Sequence, residues 1–81
     1  MKIAYTIAGR VTYIPLFDIV REHTYITRWD HDDLDEFIAA VTEYAVEWAG
    51  EGNRRAAEIT ARKCARWTWE NFTVRPEPET D

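Results

Sequence analysis

Trp29-Asp30-His31-Asp32-Asp33-Leu34 is the stretch where the chain changes its habit, and Asp35-Glu36-Phe37-Ile38 follows it directly. Before it, apolar residues alternate as they do in strands. After it, they recur at helical spacing. Asp30 is a good N-cap residue with Asp33 three positions on, and Trp29 and Leu34 are spaced for a hydrophobic staple. Asp32 and Asp33 then fall in a first turn, where the helix dipole favours negative charge. Leu34, Phe37, Ile38, Val41, Ala45 and Trp48 continue the apolar stripe, with Tyr44 beside it. The spacing predicts an amphipathic helix of about four turns that ends near Gly50.

Upstream, Ile3, Tyr5 and Ile7 alternate with Ala4, Thr6 and Ala8, which is a strand pattern. Gly9-Arg10 suits a type II′ hairpin turn with Gly at its first central position. Val11–Ile14 reads as the returning strand, and Pro15 marks its end. Residues 16–20 fit either a continued strand or one helical turn opened by Pro15. Tyr25, Thr27 and Trp29 alternate with Thr24, Ile26 and Arg28, so residues 23–29 read as another strand of an antiparallel meander. Downstream, Asn53 can cap a second helix running to about Asn71. Ala57, Ala61, Cys64, Ala65 and Thr68 form one small face on it, which can receive the bulky ridge of the first helix. Trp67 and Trp69 project to either side, so at least one of them must be partly exposed. Phe72, Thr73 and Val74 suggest a last short strand.

The expected fold is therefore α+β. It has an antiparallel sheet of three to four strands, beginning with an N-terminal meander, and two antiparallel helices packed on one face. Residues 1–75 make a single domain, and residues 76–81 a flexible acidic tail. The 81 residues allow only one domain, and a core this small must be dense. The 46% hydrophobic and 14% aromatic composition meets that need, because large rings bury much area per ordered residue. Cys64 is the only cysteine, so no internal disulfide can form. With no signal-peptide core and no apolar run near membrane-spanning length, a cytoplasmic protein is expected, with no membrane partner.

The net charge is −5 and it is blocked by sign. Residues 30–52 hold eight acids and no Lys or Arg, whereas residues 53–69 hold five bases and one acid. Asp32, Glu36, Glu43 and Glu47 fall opposite the apolar stripe of the first helix, with Asp35 at the margin. Exposed helix faces usually mix signs, because like charges at i,i+4 destabilise. Either the bases of the second helix neutralise this face, it is merely solvated, or it meets a basic partner. Arg55, Arg62 and Arg66 share a face of the second helix with Ile59. Together with Trp67 or Trp69 they offer an alternative interface for a homodimer or for nucleic acid. The net negative charge argues against direct nucleic-acid binding, which counterion release drives.

The spacing that chemistry needs is missing. There is no Gly-rich phosphate loop, nucleophile elbow or metal quartet. His31-Asp32-Asp33 lacks further ligands at zinc spacing, and Cys64 lacks an activating His. Neither a metal, a cofactor nor an enzymatic activity is expected. The reading that remains is a non-catalytic protein-binding module. Its specific form is a small acidic inhibitor or accessory protein docking on a basic, nucleic-acid-handling partner. In size and charge alone it is similar to phage-encoded counter-defence factors such as anti-CRISPR proteins.

Overall fold

A computed structural model describes residues 1–76. The elements run β1 (Lys2–Ile7), β2 (Arg10–Pro15), α1 (Leu16–Thr27), a 3-10 turn (Arg28–Asp30), α2 (Leu34–Ala49), a second 3-10 turn (Glu51–Asn53) and α3 (Arg54–Asn71). The class is α+β, but the sheet has two strands rather than three to four, and three helices stand in place of two.

β1 and β2 pair antiparallel, with Ile3 opposite Ile14, Tyr5 opposite Thr12 and Ile7 opposite Arg10. That register leaves Ala8 and Gly9 as the two-residue loop. Gly9 therefore takes the second central position, not the first as expected for a II′ turn. Both residues have positive φ, 51° for Ala8 and 80° for Gly9, which is the I′ pattern. A left-handed conformation costs a residue with a Cβ about 1–2 kcal/mol. Ala8→Gly is expected to stabilise the hairpin by roughly 1 kcal/mol, after glycine's own entropic cost. The midpoint of urea unfolding checks this, and an unchanged or lowered midpoint contradicts it.

The largest departure from expectation is α1. Residues 23–29 alternate β-branched and aromatic side chains, yet residues up to Thr27 are helical and Arg28–Asp30 form the 3-10 turn. The deciding pattern is longer than that window. Leu16, Val20, Thr24 and Arg28 recur every fourth residue, and all four are buried. Pro15 stops the strand and stands at the N-cap. The amide of Leu16 donates to the Met1 carbonyl at 2.8 Å, which ties the helix start to the base of the hairpin. The threonines adapt to the helix by bonding back to its own carbonyls, Thr24 to Arg21 at 2.6 Å and Thr27 to His23 at 2.8 Å.

α2 begins three residues later than the Asp30 cap implied. Asp33 is the N-cap, and its carboxylate accepts from the Asp35 amide at 3.3 Å. Asp32 and Asp33 thus precede the helix, and Trp29 does not staple it. The helix ends at Gly50, whose φ of 89° suits glycine and whose amide donates to Val46. Asn53 stands at the N-cap of α3 but makes no cap bond there. Its side-chain amide reaches back to the Ala49 carbonyl at 2.9 Å. Phe72–Val74 is not a strand.

The core lies among the helices. Leu16 and Val20 of α1 meet Phe37, Val41, Ala45 and Val46 of α2, over Ala57, Ala61, Cys64 and Ala65 of α3. The small face of α3 is buried along its whole length, Thr68 included. Phe37, near the start of α2, lies 5.8 Å from Trp69, near the end of α3, ring centre to ring centre. Of the hairpin, only Ile3 packs on this cluster. Trp48, expected in the core, is 41% exposed and leans on Tyr44 instead, because the core face of α2 is centred on Val41 and Ala45. Beyond Pro76, the acidic tail expected over residues 76–81 lies outside the described residues.

Candidate docking surfaces

α2 turns Glu36, Glu43 and Glu47 to solvent, on the side away from Phe37, Val41 and Ala45. Asp32 is exposed in the bend before the helix and Asp35 in its first turn, so the acidic surface runs past the helix end. Only Glu43 of these five forms an ion pair among the described residues, with Arg54 at 3.5 Å. Arg54 binds Glu51 more closely, at 3.0 and 3.1 Å. That hydrogen bond draws the Glu51 carboxyl below its usual range and raises the Arg54 guanidinium. Among the described residues Arg54, at one end of α2, is therefore the one base of α3 in an ion pair with the acidic face.

The alternative interface is divided. Arg55, Ile59 and Arg62 line a groove of about 650 Å³ opposite Ile38, Thr42 and Glu43. Glu58 and Lys63 also border it, so its charge is mixed. Ile59 is 49% exposed, and Arg66 is exposed further along α3. Trp67 is 51% exposed but belongs to another cluster, 6.1 Å from Tyr25 and 6.4 Å from Phe72. Trp69 turns to the core and covers Phe37. The two tryptophans do project to opposite sides, and neither lines the Ile59 groove.

Cys64 is buried, and desolvation pushes its thiol up to about 11, a setting for packing rather than attack. No cluster of three or more His, Cys, Asp or Glu able to hold a metal is present among the described residues. No helix among them is long and apolar enough to cross a membrane.

His23 stacks on Tyr44 with ring centres 3.6 Å apart and planes 5° from parallel. Burial lowers its pKa below the ordinary 6.5, against the pull of Asp30 and Glu47. The fold thus prefers the neutral ring. Stability is full above the unfolded pKa and falls as pH drops from there through the lowered folded pKa. Chemical unfolding across that window is expected to show this loss. His23→Phe, which keeps the stack, should flatten it, and an equal slope in both proteins would refute the assignment.

Arg28 is the residue that the sequence reading missed. It is 8% exposed, and its guanidinium carbon lies 3.7 Å from the Trp69 ring and 4.5 Å from the Trp29 ring. Burial lowers its pKa, and Asp32 opposes that shift. Its place in the four-residue repeat from Leu16 was the available signal.

No family model, curated protein or solved structure matches this chain.

Proposed function

We propose that this chain is a non-catalytic protein-binding module that lays the acidic side of α2 on a basic surface of a partner protein. The observation that carries the reading is the face formed by Asp32, Asp35, Glu36, Glu43 and Glu47, exposed and answered by one ion pair. Such a surface attracts a basic partner over long range and loses its grip in salt. A partner that handles nucleic acid presents the complementary charge, and covering that surface would make this chain an inhibitor or accessory factor. The buried Cys64 thiol suits a reducing compartment, and we place the module in the cytoplasm.

The test compares wild type with a fourfold variant, Asp32→Asn, Glu36→Gln, Glu43→Gln and Glu47→Gln. Affinity capture from lysate at low and high salt, read by mass spectrometry, should return a stoichiometric basic protein with wild type at low salt only. The variant should lose it while its circular dichroism stays unchanged. Equal capture by the folded variant would sink the proposal.

A specific observation also favours self-association as a second reading. The hairpin exposes Ile7, Val11 and Tyr13 by 58%, 60% and 63%, and each of its strands has a free edge. Open edges beside apolar side chains invite a further strand. Sedimentation should then show a dimer that persists in high salt and is lost in Val11→Lys. A salt-independent monomer would remove this reading.

A further inference from the structure

Arg28 is a buried charge with no ion pair among the described residues, and Asp32 acts on it only from beyond ion-pair distance. Trp29 and Trp69 lie against its guanidinium, and such stacking leaves the N–H donors in the guanidinium plane unused. Its Nε has no hydrogen-bond partner, and no ion pair reaches it among the described residues. Buried charges are ordinarily paired, because desolvation without a partner is costly. Arg28 is among the residues that line a cavity of about 320 Å³, with its Nε itself shielded from solvent. Thr73 and Arg75 also line it, beside His31, and Asp32 is the one acid there among the described residues.

A second cavity of about 510 Å³ shares Trp29 and Thr73 with the first. Tyr25, Phe72, Val74 and Pro76 line the rest, with Asn71 and no charged residue among the described residues. Tyr25 and Phe72 stack at 5.2 Å, which gives this cavity a firm aromatic wall. The two together make a head-and-tail site. We propose that the Arg28–Arg75 cavity and the aromatic cavity beside it bind a carboxylate carried on an apolar body.

The head must be an oxyanion, because a guanidinium edge holds a group such as a carboxylate through paired N–H donors. Among the described residues Arg28 and Arg75 stand against the single acid Asp32, beside His31, and this positive balance suits a singly charged head. The tail must be apolar and fits a ring or a branched chain beside Trp29. A small free acid and the C-terminus of a peptide ending in an apolar residue share this chemistry. The site is separate from the partner contact of α2 in all but Asp32, and its test needs no partner. Failure here therefore leaves the docking proposal standing, and the reverse also holds.

The experiment is proton–nitrogen correlation NMR on the full chain, following the Arg28 Nε–H and the indole N–H signals of Trp29 and Trp69. The probes are hydrocinnamate, hydrocinnamamide, inorganic phosphate, and a short peptide ending in phenylalanine with a free or an amidated C-terminus. Hydrocinnamate or the free-acid peptide should shift all three signals saturably. The amides should bind at least about tenfold more weakly, as expected when a charge-assisted bond is lost. Tighter binding of the peptide assigns a chain terminus as the natural source, and tighter binding of hydrocinnamate a small acid. Arg28→Lys should abolish the response. Because that variant removes a buried packing group, exposed Arg75→Gln is the second test and should weaken binding several-fold in a folded protein. Silence of the three signals with both acids, equal binding of acid and amide, or saturation by phosphate alone would overturn the proposal.

Discussion

Phe37→Ala is expected to destabilise the protein by about 3–5 kcal/mol, the usual cost of removing a fully buried phenylalanine. The ring has no solvent exposure and is the largest of the fully buried side chains. It lies 5.8 Å from Trp69 and 5.7 Å from His31, so it joins the start of α2 to the end of α3 and to the bend before α2. The opposing face of α3 is alanine, cysteine and threonine, and those short side chains cannot swing in to fill the hole. Domains of this size hold only about 5–15 kcal/mol in total. Urea unfolding at neutral pH should therefore show a transition moved to much lower denaturant or no folded baseline. Phe37→Leu should cost clearly less, because more of the volume is kept. A loss below about 1 kcal/mol for the alanine variant would mean that Phe37 does not organise the core.

The second large effect comes from two hydroxyls. Thr24 of α1 and Thr68 of α3 are both fully buried, and their oxygens lie 2.7 Å apart. Thr24 gives its hydrogen to the Arg21 carbonyl at 2.6 Å, so Thr68 must donate to Thr24. The direction makes the pair unequal. Thr24→Val leaves the Thr68 hydroxyl without its acceptor in the core and should cost about 1–3 kcal/mol. Thr68→Val leaves Thr24 still bonded to Arg21 and should cost about 1 kcal/mol or less. The double variant, with both hydroxyls replaced by methyls, should be more stable than Thr24→Val alone. Chemical unfolding of the three proteins forms a double-mutant cycle. Additive losses would show that the pair does not act as one unit.

Much of the helical framework was legible because it rests on periodicity. The stripe from Phe37 through Val41 to Ala45, the small face from Ala57 to Thr68 and the stop at Gly50 follow from spacing and local chemistry, and all are present. α1 was not legible in residues 23–29, because that window holds β-branched and aromatic side chains whose local preference is for strand. Burial of Leu16, Val20, Thr24 and Arg28 against the other helices outweighs that preference, and burial is not a property of a seven-residue window. The two-strand sheet follows, since residues 23–29 went to α1 and the 3-10 turn after it and Phe72–Val74 formed no strand. The cap of α2 moved from Asp30 to Asp33 because Arg28–Asp30 extends α1 as a 3-10 turn.

The candidate surfaces divide along the same line. The acidic side of α2 needs only the helical period and the absence of bases between residues 30 and 52, so the sequence by itself placed Glu36, Glu43 and Glu47 opposite the core, whereas Asp32 stands in the bend before the helix. Only the tertiary structure decided that Arg54 pairs with Glu43, that Trp67 and Ile59 stand on different surfaces, and that Arg28 is buried between Trp29 and Trp69. Local spacing assigns residues to faces. Pairings between elements depend on how those faces meet, and here they met around a further helix whose last five residues, 23–27, argued locally for strand.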